Sequence, residues 1–580
     1  MASSMSYNAA AGLPGMLKQG TRHMTQDSSE ASVVLSNIEN CVQLTRLLQT
    51  SLGPQGRCKL LVNHLDKIFV TSDCASIVKE LPLEHPACVL LQQACAKQAN
   101  EYGTASNMVL ALAGELLAQT KSVISKLTWQ PASEILAGYQ LGLEWMVDTY
   151  LPQLVLEGSS ATGLDVSNRE SVLKVVRPVL QSKIYGQEDL LAPLIVDACQ
   201  QVVKTKSGDD QSKIGVVEPE TIRTVKLLGS NLSQSFVVPG YVATRGVETV
   251  KTRAEKAKVA VFACGMEASS TEAKGTVVMK TAQDLQSYNP SEEQKMSDII
   301  ESIAQVCDVV VTGGTVSDMA LHFMDKYGLV CCKVASKWEL RRLCQATQAT
   351  ALVRLGPPTS DELGYCDSVR QEELGGRTLT IFENKSDDSS SLGSPSRLAT
   401  IVLRASTMSV LNDLERAVDD GVRAISTATQ DGRLVYGGGA TEMALSIQLQ
   451  TKAEQVPGLE QYALGALAKA LQVIPRTLAE NAGWDAARVV ANLQAAHATH
   501  ATSEAKDTIC DIGVDVDRED AVYGSSDKEG LEGITGMKEK AVVDLFAPKL
   551  SAIRLAIDVV ITILKIDQII MSKPAGGPKG

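Results

Sequence analysis

The chain has 580 residues, too many for one hydrophobic core and enough for roughly two to four domains. Hydrophobic residues make up 44%, charged residues 21% and aromatic residues only 4%, which excludes disorder for the bulk of the chain and reads as a globular, multidomain, largely helical protein. A formal net charge of −12 excludes the clustered Lys and Arg of a nucleic-acid footprint; no apolar run approaches the ~18 residues of a membrane span, and residues 1–15 lack the blocks of a signal peptide, so a cytoplasmic location is expected.

In chain order, Ile38, Cys41, Val42, Thr45, Leu48 and Leu52 recur at helical spacing and predict a core helix over 36–52. Gly53, Pro54 and Gly56 stop it, and KLLVN, a short HLDK turn and IFVTSD read as a strand hairpin. Such a glycine loop can turn successive backbone N–H groups toward an anion, although GPQG alone is more often a plain turn. Asp73 follows the second strand and precedes an apparent helix start at Ser76, a place where a carboxylate commonly caps. EYGTASN then leads into the helical run MVLALAGELLAQT, and free N–H groups at such a start favour a phosphate; Ser106 and Asn107 also suit plain N-caps.

Further along, VCDVVVTGG followed by a helix, then LVCCKVA followed by SKWELRRLCQATQA, gives a β-α-β-α pattern. In its last helix Leu340, Leu343, Cys344 and Thr347 share one side and Lys337, Trp338, Arg341 and Gln345 another. Val410, Leu411, Leu414, Ala417, Val418, Gly421, Val422 and Ile425 form one apolar stripe. Asp420 falls off that stripe near Asp413 and Arg416, where a solvated charged face competes with a functional carboxylate. YGGGATE is another glycine turn before a helix. Two carboxylates from distant segments, Asp73 and Asp420, would suffice to polarise a water for attack on a terminal phosphate. If the motifs at the two ends converge, one nucleotide site carries a large insert.

Thirteen Cys are scattered without a C-x-x-C, so reduced, buried thiols are expected. His497 and His500 have the spacing of a metal pair, but no nearby Cys or third His completes it.

The blocks TSLGPQG, VNHLDKIFVTSD, LAGELL, VVVTGGTVSDMALHF, SKWELRRLCQATQATALVRL, IVLRAST, ERAVDDGV, GGGATE, GLEQYA and IDQIIMSKPAGGPK are similar, in that order, to those of the group II chaperonins, the family that includes the subunits of the eukaryotic cytosolic chaperonin. The resemblance implies a multidomain α/β chaperonin fold. A mainly helical equatorial domain would take 1–148 and 404–580, a small intermediate domain 149–220 and 372–403, and an α/β apical domain 221–371 with a lid extension at about 272–295. It implies ATP with Mg²⁺ as cofactors, Asp73 and Asp420 as catalytic residues, and nucleotide contacts from Leu52, Gly53, Ala105, Ser106, Asn107, Met108, Gly438 and Gly439. Ser182 and Lys183 would approach the nucleotide from the intermediate domain, and Asp544 and Lys549 would close the site over sugar and base; without the family, Ser182 reads as a helix-end cap, and Lys183, Asp544 and Lys549 as surface residues. Lys337, Trp338 and Arg341 would contact clients. The implied partners are related subunits in a double ring, unfolded clients such as actin and tubulin, and prefoldin, with no nucleic acid or membrane; the end PAGGPKG would face the chamber floor.

Departures accompany the matches. The family's G-D-G-T-T or G-D-G-T-N is here Gly103, Thr104, Ala105, Ser106, Asn107, so Thr104 replaces the metal-binding Asp, Glu101 is three residues off, and weaker or slower hydrolysis is expected. Ala405 stands where the family usually has Gly, Cys74 follows Asp73 and Tyr436 precedes the glycine triplet. Two other functions compete: a ring subunit that mainly holds clients and neighbours with little ATP turnover, and a dinucleotide enzyme built on VVVTGGTVSDMAL, which lacks G-x-G-x-x-G.

Overall fold

The computed structural model describes residues 22–23, 30–62, 66, 68–126, 132–156, 163–204, 216–267, 282–384, 398–502, 509–517 and 533–571. Part of the expected lid extension and the glycine-rich end lie outside these residues; 282–295 open the helix Ala282–Ala304.

The two ends of the chain build one helical core. Ile38, Leu91, Leu112 and Tyr139 from the first quarter pack with Leu464, Leu467, Ile553 and Ile557 from the last. A fully buried amide seams the halves: Gln98 donates to the carbonyls of Thr104 (3.1 Å) and Pro548 (3.0 Å) and accepts from Ser551 Oγ (2.9 Å), so burial leaves it no unmet bond. The first core helix runs Glu30–Gln49, ending three residues before Leu52 because Thr50–Gly56 already form the tight loop. The helix Ser106–Lys126 crosses the middle of this core. Its stretch Ser106–Ser125 is long and apolar enough to cross a membrane, which the sequence reading did not anticipate, but Val109 to Ala113 are wholly buried in protein.

A second core joins the helices Arg169–Gln181 and Glu188–Lys204 to a three-stranded sheet, in which Ala399–Ala405 lies between Ile222–Leu228, parallel, and Phe236–Val238, antiparallel. The helix Met408–Gln430 buries Leu411, Leu414, Ala417, Val418, Val422 and Ile425 in this second core. Its stripe meets Val172, Val176, Leu191 and Ile195, and Val410, part of the expected stripe, stays 40% exposed.

Among the described residues the insert is a seven-stranded mixed sheet with helices on it, the short strand Ala351–Leu352 pairing in parallel with Arg253–Phe262. Gly240–Ala243, Arg377–Glu383, Gly364–Leu374 and Arg253–Phe262 are successive antiparallel neighbours, and Val309–Thr312 and Val330–Lys333 extend the sheet in parallel. The helices Asp318–Tyr327 and Lys337–Thr347 follow the two parallel strands, giving the expected β-α-β-α order. Lys59–Val62 and Ile68–Thr71 pair with each other as the expected hairpin, with Leu60 and Ile68 each 65% exposed. All thirteen cysteines are free thiols.

Close approach of two helices fixes Gly114. A Cβ there would lie 2.5 Å from Thr45 Cβ and 2.8 Å from Thr45 Cγ2. Gly114→Ala is therefore expected to destabilise the helical core by about 1–3 kcal/mol, and Thr45→Ala in the same chain, which removes Oγ1 and Cγ2 but keeps the Cβ contact, to recover part of the loss. A double-mutant cycle in denaturant unfolding checks this; independent, additive losses would contradict it.

Candidate functional site

The motifs from the two ends meet in one cavity of about 280 Å³. Leu52, Gly53, Thr104, Ala105, Ser106, Asn107, Met108, Ser182, Lys183, Gly438, Gly439, Asp544 and Lys549 all line it. Three tight backbone turns shape its wall. The loop after Gln49 is closed by Arg57 N to Thr50 O (2.8 Å) and anchored by Asn481 Nδ2 on Leu52 O (2.8 Å). The turn before the helix Ser106–Lys126 places Ala105 at φ 62, a left-handed conformation that costs an alanine about 1 kcal/mol and holds the chain abruptly at the helix start. Val109 N makes its bond to Ala105 O at 3.2 Å, so the N–H groups of Ser106, Asn107 and Met108 precede the intrahelical ladder, as at any helix start, where they and the helix dipole favour an anion. On the third wall, Gly438 and Gly439 have φ of 61 and 80, and a Cβ on Gly439 would come within 2.9 Å of Pro475.

At one edge, beside the lining residues Ser72 and Cys74, stands a triad of charges. Lys183 Nζ lies 2.5 Å from Asp73 Oδ1 and 3.2 Å from Asp420 Oδ2, and all three side chains are at most 16% exposed. Each member comes from a different part of the chain. Asp73 N-caps the helix Cys74–Glu80, which starts two residues earlier than expected, because Asp73 Oδ2 accepts from Ser76 N (3.0 Å) and Ser76 Oγ (2.6 Å). Lys183 follows Ser182, the C-cap of Arg169–Gln181, whose hydroxyl donates to Val179 O at 2.7 Å. Ser182 is thus a helix-end cap, as one reading had it, but Lys183 is no surface cation. Asp420, on Met408–Gln430, is not on a solvated face either: Lys183 draws it inward.

Two arginines on the same helix set its position. Arg416 donates to Thr71 Oγ1 (3.1 Å), and Arg423 donates to Ala99 O (2.5 Å) at the end of the helix Pro86–Tyr102. Gly103 terminates that helix at φ 73, and a Cβ on it would lie 2.9 Å from Asp420 Oδ1, so only a residue without a side chain admits the carboxylate there.

Electrostatics separates the two carboxylates. Burial alone would raise the pKa of Asp73, but the Lys183 charge and hydrogen bonds from Lys183 and Ser76 outweigh it and hold the group well below the usual carboxylate range. Asp420 is pushed up, chiefly by burial and also by the charge of Asp73, with Lys183 offsetting only part. For Lys183 burial works against the ammonium, yet Asp420 and Asp73 together raise its pKa. At the far wall Lys549 is likewise buried and held charged by Asp544 Oδ2 (2.8 Å) and Glu442 Oε1 (3.0 Å).

The residues present fit a nucleotide. The cavity combines helix-start N–H groups, a side-chain-free cradle and two buried acceptors without a partner, Asn107 Oδ1 and Glu442 Oε2. Hard oxygen donors, the Thr104 hydroxyl and the carboxylates of Asp73 and Asp420, suit an ion of the Mg²⁺ type that takes most of its ligands from phosphate and water. Among the described residues no group of three or more His, Cys, Asp and Glu forms a metal cluster; His497 is buried with a ring nitrogen 2.8 Å from Ile512 O. Sequence reasoning missed Tyr185, Asp515, Asp517, Met537 and Lys540, which also line the cavity. Tyr185, two residues past Lys183, was within reach of the LQSKIYG motif; the others carry no glycine or helix-start signal. Lys337, Trp338 and Arg341 lie away from the cavity and exposed on their own helix, Trp338 at 71%. The TGG turn after Val309–Thr312 owes its glycine to packing, since a Cβ on Gly314 would lie 2.6 Å from the Gly265 backbone.

The profile of the TCP-1/cpn60 chaperonin family matches residues 44–574. T-complex protein 1 subunit theta of Arabidopsis thaliana is 39% identical over 569 residues, covering 98% of this chain and 96% of the relative. The Homo sapiens protein of that name is 38% identical over 571 residues, with the same coverage, and the probable theta subunit of Schizosaccharomyces pombe 39% identical over 568 residues. With the family profile matched over residues 44–574 and relatives aligned along nearly the whole chain, the protein belongs to the TCP-1/cpn60 chaperonin family.

Proposed function

We propose that this chain is an ATP-hydrolysing subunit of a hetero-oligomeric, double-ring chaperonin that encloses unfolded proteins, actin and tubulin among them, with prefoldin as a delivering partner. The observation that carries the ATPase reading is the Asp73–Lys183–Asp420 triad at the edge of a cavity assembled from both chain ends. In domain terms the equatorial unit comprises 1–148 and the C-terminal segment, the apical unit 221–371, and the intermediate pieces lie between; the packing of Met408–Gln430 supports starting the C-terminal equatorial segment after Gln430 rather than at 404.

The N–H groups opening the helix Ser106–Lys126 receive the phosphates, Leu52 and Gly53 contact the nucleotide, and Gly438 and Gly439 leave room for ribose and base. Asp544 and Lys549 close that end. Mg²⁺, when bound, neutralises phosphate charge, and Thr104 offers it a neutral hydroxyl in place of a carboxylate. Asp420 holds and deprotonates the attacking water, and the ionised Asp73 orients it. Lys183 and Asp420 ride together on the second core while Asp73 belongs to the first, so a shift of the second core would part Asp73 from its ammonium; hydrolysis chemistry and the position of that core are thereby linked. Lys337, Trp338 and Arg341 present a basic and aromatic surface to non-native chains. A second reading, a subunit that mainly holds clients and neighbours, is favoured by Thr104 and opposed by the retained triad.

A tag on Gly580 in the native cell is expected to recover a very large particle of related but distinct subunits with ATP turnover; a small particle without such partners would refute the proposal. Within that particle, Asp420→Asn should leave photolabelling of this chain by an azido-ATP intact while its conversion to ADP falls about 10²-fold or more. Unchanged conversion would remove Asp420 from the chemistry. Because the Asp420 pKa is raised by burial, the acid limb of that conversion should lie above the ordinary aspartate value of 3.8, activity being lost as pH falls through it. Lys183→Met removes the offsetting charge and should move the limb to higher pH in a pH–rate profile of the labelled chain. Thr104→Asp should speed conversion and lower the Mg²⁺ concentration it needs, both read in a metal titration.

A further inference from the structure

The strand Ile222–Leu228 carries two cations that reach in opposite directions. Successive side chains of a strand point to opposite faces, so Arg223, Val225 and Leu227 share one face and Lys226 lies on the other. On the first face Val225 and Leu227 pack with Val242, Leu379 and Ile381, strands of the large sheet. Arg223, only 9% exposed, donates to Glu339 Oε1 (2.5 Å) and Val242 O (3.1 Å), with its guanidinium carbon 4.7 Å from the Tyr241 ring centre. Glu339 belongs to Lys337–Thr347, the helix that exposes Trp338. On the second face Lys226 Nζ donates to Glu415 Oε2 (2.6 Å) and Asn412 Oδ1 (3.0 Å) on Met408–Gln430, the helix bearing Asp420.

We propose that this strand is the positioning element that ties the Asp420 helix to the Trp338 helix, with Lys226–Glu415 and Arg223–Glu339 as its two couplings, so that nucleotide state at the first reaches the client-facing surface of the second. The proposal rests on the ATPase and client readings above. Neither pair lines the cavity, and among the described residues each is the side-chain polar link between its strand and its helix, Asn412 joining Glu415 on Lys226. Both are partly desolvated, Arg223–Glu339 most so at 9% and 31% side-chain exposure, so they resist salt screening better than surface pairs. A cation with a planar fork and an aromatic neighbour holds direction as well as distance, which transmits a rotation of the strand to the helix.

Hydrogen exchange with mass spectrometry on the native particle reads peptides of this chain alone. In the natural protein, ATP with Mg²⁺ should change exchange both at 103–108 and in 337–347. Lys226→Glu, which sets like charges against Glu415, should keep the first response and lose most of the second. The exchanged pair Lys226→Glu with Glu415→Lys should restore it, and Arg223→Met should abolish the 337–347 response without touching that at 103–108. Persistence of the 337–347 response in Lys226→Glu and Arg223→Met, or no recovery in the exchanged pair, would overturn the proposal. Absence of any ATP response at 103–108 in the natural protein would instead refute the nucleotide reading on which it rests.

Discussion

An ammonium held between two carboxylates is affordable inside a protein only when all three side chains are brought together, because each alone would carry the cost of a desolvated charge. In this chain the three are Lys183, Asp73 and Asp420, and they lie on three segments that otherwise pack separately. Asp73 belongs to the core formed by the chain ends, while Lys183 and Asp420 are carried by helices of the second core. The triad is consequently a closure: it exists when the second core sits against the first and dissolves when they part. With Lys183 in place the raised pKa of Asp420 beside the lowered one of Asp73 makes Asp420 the first of the two to take a proton as pH falls, and removing Lys183 leaves like charges near one another.

The helix Met408–Gln430 is where the demands converge. One side supplies the apolar stripe of the second core, another presents Asp420 to the triad, and Arg416 and Arg423 grip the hairpin and the end of Pro86–Tyr102. Its N-terminus follows directly from the central strand Ala399–Ala405, capped by Thr407. A single helix thus touches the core of the chain ends, its own three-stranded sheet and, through Lys226, the strand that packs against the insert.

Short-range signals were legible in the sequence. Glycine turns before helices at 103–107 and 436–442, the hairpin over 59–71 and the β-α-β-α order of the insert all depend on residues a few positions apart, and all appear. So does the inward and outward division of Lys337–Thr347. What could not be read was partnership across distance. Lys183 looked like a surface cation because its partner Asp73 is 110 positions away, and Arg423 gave no signal because its acceptor is 324 away. Asp515, Asp517 and Lys540 entered the cavity from segments with no local motif. The family resemblance supplied several site residues that periodicity alone would have left as caps and surface charges.

The hairpin Lys59–Val62 with Ile68–Thr71 places Leu60, Val62 and Ile68 in solvent on a two-stranded ribbon whose outer edges are unpaired among the described residues. Open edges and greasy side chains together invite association with any extended chain nearby. Unless these positions are covered, each encounter between unfolded or nascent chains and this ribbon risks a mispaired strand, a hazard that grows with the concentration of the free polypeptide.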